Sequence, residues 1–147
     1  MFLDCGQSIC TVVKEQGLDA PDRWFNPKHP SCRWAAESAA NFMDLALHCE
    51  AMITEYGERF GKTHKCAAVL NKIVSMFEVD RFPTTKCTPL RLAMPDEFRS
   101  DNPVLSYRKF YASKPRLRYP VNQLPSWVYD YRDKPFEVIG EPNEAVA

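Results

Sequence analysis

From residue 32 onward, apolar side chains recur at steps of three and four residues, which is the period of an amphipathic α-helix. The positions that follow this period are Trp34, Ser38, Phe42, Leu45, Cys49, Met52, Ile53 and Tyr56. The pattern predicts one long helix from about Cys32 to about Arg59. Ser31 is expected to cap its first turn, because a serine hydroxyl accepts from an exposed backbone N–H. Gly61 is expected to end it.

Two shorter patterns flank this helix. Residues 8–16 read as a short helix or a strand, and Gly17 ends the element in either case. Residues 63–77 repeat apolar side chains with the helical period and predict a second helix. This helix must fold back beside the long one, because the connection between them is short.

The C-terminal half predicts two more helices joined by extended chain. A helix over 103–113 is favoured by Asn102 as its N-cap and by Pro103, whose missing N–H costs nothing in the first turn. Residues 114–125 contain prolines and read as extended, and residues 126–133 predict a short terminal helix.

These elements predict an all-α protein, a compact single-domain helical bundle with long proline-rich loops. The chain has 147 residues, which is enough to bury a core without disulfides or metal. We expect one helical domain over 1–135 and an acidic, flexible C-terminal tail over 136–147.

Charge and hydropathy restrict the partners. Lys plus Arg and Asp plus Glu both number 19, so the formal net charge is zero and any signal for a nucleic acid must be local. No apolar run approaches the ~18 residues of a membrane span. The N-terminus lacks the basic region of a signal peptide. We therefore expect a cytoplasmic protein with no membrane partner.

The six cysteines indicate reduced thiols. Without a secretion signal a disulfide framework is not expected, and some cysteines fall in apolar helical patterns, where a thiol packs as a small hydrophobe. A zinc site built from Cys5 and Cys10 with the later His48-Cys49 and His64-x-Cys66 would have weak spacing. The chain also lacks phosphate-loop, HExxH, nucleophile-elbow and zinc-deaminase motifs. We predict no metal and no cofactor.

Polar side chains share one face of the predicted long helix. Glu37, Asn41, Asp44 and His48 advance by four, three and four residues, and positions 34–53 contain no Lys or Arg. Two interpretations are open: a solvated face opposite the core, or the wall of a polar pocket. In the second case the carboxylates need partners from elsewhere, because an unpaired buried charge is unfavourable.

Cations gather just past the end of the same helix. Glu55 and Arg59 are spaced for a helical ion pair, and Lys62 and His64 follow it. The group is either an anion-binding corner or a set of cations favoured by the helix dipole. His29, before the helix, is either a neutral base or a packed loop residue.

The segment 106–119 is basic and aromatic. Cations for phosphates and aromatic rings for bases are what single-stranded nucleic-acid contacts require. A core face of aromatic residues with cations outside is the other interpretation. The side chains concerned are Tyr107, Arg108, Lys109, Phe110, Tyr111, Lys114, Arg116, Arg118 and Tyr119.

The motifs HPSCRWAAESAANF, EYGERFGKTHK, TPLRLAMPDEF, DNPVLSYRKFYASK and LPSWV, taken in this order, resemble a family of small phage and microbial proteins. The resemblance spans roughly residues 27–128. Some members are labelled pyrimidine-dimer DNA glycosylase-like, and a phage origin would place the chain in the host cytoplasm. The matching polar positions are His29, Trp34, Glu37, Ser38, Asn41, Glu55, Tyr56, Arg59, Lys62, His64, Asp96, Glu97, Tyr107 and Arg108.

We therefore predict an enzyme that acts on nucleic acid or nucleotides, with N-glycosidic cleavage or transfer by carboxylate acid–base catalysis. The alternative is a non-enzymatic accessory protein that binds a host protein or sequesters a nucleotide. The predicted catalytic residues are Glu37, Asn41, His29 and His64. The predicted substrate-binding residues are Trp34, Ser38, Glu55, Arg59, Lys62, Tyr107 and Arg108.

Overall fold

The computed structural model describes residues 2–21, 25–115, 118–120, 125–132 and 137–139. Within these ranges the protein is helical apart from two three-residue strands, so the predicted all-α class is confirmed. The chain forms two compact units, residues 1–93 and residues 94–147.

The described ranges contain six α-helices. Two short 3₁₀ turns, Val79–Arg81 and Asp96–Phe98, lie between them. The α-helices are α1 (Phe2–Glu15), α2 (Pro30–Glu37), α3 (Ala39–Phe60), α4 (Cys66–Ser75), α5 (Pro103–Ala112) and α6 (Trp127–Tyr131).

The first unit is built on α1. This helix packs against α2, α3 and α4, and α3 also contacts α2 and α4. For residues 8–16 the sequence favoured either a helix or a strand, and the structure shows a helix, α1. Gly17 follows this helix with a φ of 81°, in the left-handed region that glycine favours. The buried core between these helices consists mainly of Ile9, Val12, Val13, Phe42, Cys49 and Ile73.

The predicted long helix is in fact two helices, which corrects the sequence interpretation. Ser38 is extended, with φ −153° and ψ 156°, and is fully buried. Its hydroxyl accepts from the backbone N–H of Asn41 at 3.0 Å and caps α3. A hydrogen bond from a backbone N–H to a nearby serine hydroxyl competes with the hydrogen bonds of a continuous helix. A serine can therefore interrupt a helix even where the apolar period continues.

The predicted cap of the first helix is also wrong. His29, not Ser31, is the N-cap of α2, and its Nδ1 accepts from the backbone N–H of Ser31 at 3.2 Å. Pro30 occupies the first helical position, where proline is favoured. Gly61 ends α3 as predicted, with a φ of 62° and its N–H donating to the Gly57 carbonyl at 2.8 Å.

The other predicted helices occur at the predicted positions, but each is shorter than predicted. The second helix is shorter than the predicted 63–77, because α4 covers only Cys66–Ser75. Helix α5 ends one residue before the predicted limit, and Asn102 caps it by accepting from the backbone N–H of Leu105 at 3.1 Å. Helix α6 lies inside the predicted 126–133.

Two short strands lie in the second unit. Strand β1 (Arg118–Pro120) falls in the predicted extended stretch, and it pairs in parallel with β2 (Glu137–Ile139). β2 belongs to the predicted tail, whose other residues lie outside the described ranges. The predicted domain limits stay a prediction.

Candidate functional site

Thr88 is the centre of a hydrogen-bond network in the first unit. It lies in the irregular segment between the two 3₁₀ turns, and its backbone and side chain bond to residues of α2 and α3. The Trp34 indole N–H donates to the Thr88 carbonyl at 3.0 Å. The Thr88 hydroxyl donates to the Glu37 carboxylate at 2.7 Å. Every polar group of Thr88 therefore has a partner on these helices, since its N–H bonds to Asn41.

Asn41 makes three of these contacts from a fully buried position. Its Oδ1 accepts from the Thr88 N–H at 3.0 Å. Its Nδ2 donates to the Thr88 hydroxyl at 2.6 Å and to the Trp34 carbonyl at 2.8 Å. A buried amide must satisfy its donors and acceptor, and this one does so by binding the loop.

Glu37 connects this network to solvent. One carboxylate oxygen accepts from Thr88, and the other accepts from the Nε–H of Arg91. The Glu37 side chain keeps 28% of its surface exposed. The Thr88 hydroxyl, and then the Arg91 guanidinium, hold the pKa of the Glu37 carboxyl below its ordinary value, although partial burial acts in the opposite direction. Glu37 is therefore a carboxylate at neutral pH.

The predicted polar face is divided between the interior and the surface. Asn41 is buried, whereas Asp44 and His48 are exposed. Asp44 accepts from the exposed thiol of Cys87 at 3.4 Å and raises the pKa of that thiol. Asp44 and His48 thus fit the solvated-face interpretation, whereas Asn41 is covered by the loop that contains Cys87 and Thr88 and Glu37 is bonded to that loop.

A groove of about 540 Å³ lies beside this network. The exposed side of Glu37 lines it, together with residues from the end of α1, from the loop before α2 and from the loop after the first 3₁₀ turn. Its charged lining residues are Glu15, Lys28, Arg33, Glu37 and Arg91. Three cations against two carboxylates give the groove a net positive lining.

Sequence reasoning missed Thr88, Arg91, Lys28 and Arg33. Thr88 and Arg91 stand in the TPLR stretch that carries part of the family resemblance. That stretch was a usable signal, but nothing in its local pattern assigns it a partner 47 residues earlier in the chain.

The predicted cation corner is a separate place. Arg59 pairs with Glu55 on the surface, and Lys62 is exposed. His64 accepts from the backbone N–H of Cys66 at 3.2 Å, and its ring meets the Tyr56 ring edge-on at 4.8 Å. These residues are at the C-terminal end of α3, a helix of 22 residues. At 1.5 Å per residue, roughly 33 Å of helix separates this end from Ser38.

His29 has a local structural role. Besides capping α2, its ring meets the ring of Phe25 edge-on, at 5.1 Å between centroids. Glu37 lies at the other end of that eight-residue helix. The two residues are therefore roughly 12 Å apart along the helix axis.

The basic and aromatic residues of α5 belong to the second unit. The Arg108 guanidinium lies 5.7 Å from the centroid of the Trp127 ring, and Tyr107 stacks on Tyr111 at 6.3 Å. Lys114 lies over the ring of Phe110 at 3.8 Å. Arg116 and the side chain of Arg118 are outside the described residues. The catalytic and binding roles predicted for these and the preceding residues stay predictions.

Metal ligation has no candidate in the part of the chain that the structure describes, where no group of three or more His, Cys, Asp or Glu could hold an ion. All six cysteines are free thiols, as predicted. Among the described helices, none is long and apolar enough to cross a membrane.

Comparisons of the chain with protein-family models, with curated proteins and with solved structures found no match.

Proposed function

We propose that this protein binds a phosphate-bearing ligand, a nucleotide or a nucleic-acid strand, in the groove beside Glu37. The observation that carries the proposal is the convergence of Lys28, Arg33 and Arg91 on one groove. Lys28 and Arg33 have no ion-pair partner within the described ranges, so their charge is available to an anion. The volume of the groove is in the range of small-molecule sites.

Glu37 supports an enzymatic version of this proposal. A carboxylate that stays ionised at neutral pH can stabilise positive charge developing on a sugar or orient an attacking water. It cannot donate the proton that a general acid supplies. The lowered pKa of Glu37 therefore suits the electrostatic or basic part of N-glycosidic cleavage, which is the reaction class that the family resemblance implies.

A second candidate is binding without turnover. Both oxygens of Glu37 already accept hydrogen bonds from Thr88 and Arg91, and a carboxylate engaged in this way is a weaker base. In this version Glu37 orients Arg91, and the groove sequesters its ligand unchanged.

Affinity for a single-stranded oligodeoxynucleotide and for nucleoside phosphates at low salt tests the binding site. We expect Arg33→Gln and Arg91→Gln each to weaken binding about tenfold, the loss of ~1.4 kcal/mol that one charge-assisted contact represents. Raising the salt concentration should weaken the oligonucleotide complex, because phosphate contacts release counterions.

Arg59→Gln is the matched substitution at the cation corner. It removes an exposed arginine that is also paired with a glutamate, but far from the groove. We expect it to leave affinity unchanged within about twofold, as for a distant surface site. A loss with Arg59→Gln and none with Arg33→Gln or Arg91→Gln would move the site to the corner and refute the groove.

A further inference from the structure

The segment that carries Arg91 has no helix or strand between residues 82 and 95. A loop without ladder hydrogen bonds is held only by the contacts of individual residues. Backbone hydrogen bonds hold this one to the first unit at Thr84 and at Thr88: the Ala39 N–H, freed by the break at Ser38, donates to the Thr84 carbonyl at 2.9 Å, and Thr88 binds α2 and α3. Side-chain bonds from Cys87 to Asp44 and from Arg91 to Glu37 add to them.

We propose that Thr88 is a positioning residue for the anion site: it holds Arg91 in the groove through the Glu37 carboxylate that both residues share. This inference rests on the proposed function for its consequence in binding. Its structural part, that Arg91 is fixed by Thr88, is independent of any ligand.

The backbone gives the first reason. Thr88 is fixed at its N–H by Asn41 and at its carbonyl by Trp34. Three residues of extended chain reach at most ~10 Å, so Arg91 must start from a point close to this anchor. The preceding backbone anchor of the loop, at Thr84, is seven residues from Arg91 and would leave it a much larger range, and Cys87 is held through its side chain, by the bond of its thiol to Asp44.

The shared carboxylate gives the second reason. Thr88 donates to one oxygen of Glu37 and Arg91 donates to the other. A bond on each oxygen limits rotation of the carboxylate, and the orientation of the carboxylate limits that of the Arg91 guanidinium. Without the Thr88 hydroxyl the Glu37 side chain can rotate, and Arg91 can follow it out of the groove.

The Thr88 hydroxyl acts both as a hydrogen-bond donor and as an acceptor. Thr88 donates to Glu37 and accepts from Asn41 Nδ2 at the same time. Serine keeps both bonds, whereas valine has nearly the same shape and makes neither. Thr88→Ser is therefore the matched control for Thr88→Val.

Affinity for inorganic pyrophosphate measures the consequence. We expect Thr88→Val to weaken pyrophosphate binding roughly three- to tenfold, and Thr88→Ser to stay within about twofold of wild type. In the Arg91→Gln background, Thr88→Val should have no further effect, because Thr88 acts through Arg91. Additive losses in the two backgrounds would overturn the inference, since a general loosening of the protein weakens binding with or without Arg91.

A measurement without ligand separates the two proposals. The ¹⁵N resonance of Arg91 Nε, assigned by its loss in Arg91→Lys, should shift toward that of a solvent-exposed arginine in Thr88→Val and stay in place in Thr88→Ser. An unchanged Arg91 Nε resonance in Thr88→Val contradicts the inference. If wild type binds no pyrophosphate, the proposed function fails, and this resonance alone decides the positioning role.

The wild-type protein provides a check if Thr88→Val does not fold. The Trp34 indole N–H binds Thr88 itself, and Arg91 Nε binds the Glu37 carboxylate that Thr88 holds. If that carboxylate transmits the anchor, the heteronuclear NOE values of both nitrogens should report rigid groups on the ps–ns timescale. A mobile Arg91 Nε beside a rigid Trp34 indole would show that the Thr88 anchor does not extend to Arg91.

Discussion

Asn41→Asp should lower the free energy of unfolding by roughly 3–5 kcal/mol at neutral pH, the range found when a buried polar network acquires an uncompensated charge. The amide donates to the Trp34 carbonyl and to the Thr88 hydroxyl, and a carboxylate can donate to neither. The new charge would also lie close to Glu37, which is itself ionised and accepts from the same hydroxyl. The change in volume is negligible, so the loss reports on hydrogen bonding and charge alone.

The pH dependence of this loss has a defined sign. The introduced carboxyl should have a pKa in the folded protein above the ~3.9 of an unfolded chain, because burial and Glu37 both disfavour its ionised form. The free energy of unfolding of the Asn41→Asp protein is therefore closest to that of wild type below about pH 4. It falls further behind as the pH rises through the raised pKa. Glu37 has the opposite pH dependence. Its contribution to the stability of the folded protein is present above about pH 4.3 and is lost as the pH falls through its lowered pKa.

Urea unfolding of both proteins between acidic and neutral pH measures this difference. The gap between wild type and Asn41→Asp should narrow on acidification. Asn71→Asp is the matched control, because Asn71 is exposed on α4, and it should stay within about 0.5 kcal/mol of wild type at every pH. A small loss for Asn41→Asp, or one independent of pH, would contradict the buried network.

Glu37→Gln should reduce turnover about 10²- to 10⁴-fold on an oligonucleotide that contains a pyrimidine dimer, the contribution typical of one acid–base group. Glutamine keeps an acceptor for Thr88 but has no charge to stabilise a developing sugar cation. Affinity for the same oligonucleotide should change much less, because the cations of the groove are retained. Abasic-site formation and complex formation are measured on the same preparation, so the two effects can be compared directly.

Glu78→Gln is the control for this substitution. Glu78 is a surface carboxylate paired with Arg81, as Glu37 is paired with Arg91, but it does not line the groove. It should leave turnover unchanged. Turnover that survives Glu37→Gln would remove Glu37 from the mechanism. Wild-type protein that binds the oligonucleotide without cleaving it would favour the second candidate, binding without turnover.

Much of the helical framework follows from local signals in the sequence. The helical period predicted α3 over most of its length, and Gly61 ends it by adopting the left-handed conformation that few other residues tolerate. Asn102 and Pro103 predicted the start of α5 correctly, because capping depends on residues within one turn of each other. At these two helix ends the deciding contact is local and the prediction is confirmed, whereas at the start of α2 the equally local cap is His29 and not the predicted Ser31.

The break at Ser38 shows where this reasoning ends. The period continues through residue 38 without interruption, so the pattern alone favours one helix. The extended conformation of Ser38 is stabilised by tertiary contacts as well as by its cap: the serine is buried, and the Ala39 N–H next to it bonds to the Thr84 carbonyl. Tertiary contacts of this kind override a local preference, and a single sequence does not reveal them.

Prediction of the candidate site from the sequence is limited in the same way. The polar face without lysine or arginine predicts that its carboxylates need partners from elsewhere in the chain, and the structure gives Glu37 such partners, while the catalytic roles of Glu37 and Asn41 stay predictions. The partners, Thr88 and Arg91, follow more than 40 residues later and belong to no periodic element. The groove likewise joins residues 28, 33 and 91, whose proximity depends on how the loops are folded.

A double-mutant cycle between Asn41 and Thr88 tests most directly whether the polar residues of α2 and α3 hold the loop. The free energies of unfolding of wild type, Asn41→Ala, Thr88→Val and the double variant are measured by urea titration. One side-chain hydrogen bond and one bond to the Thr88 backbone N–H join the pair. Thr88→Val removes the first and Asn41→Ala removes both, so we predict a coupling energy of about 1–3 kcal/mol. Losses that add within about 0.5 kcal/mol would show that Asn41 and Thr88 act independently, and would contradict the account.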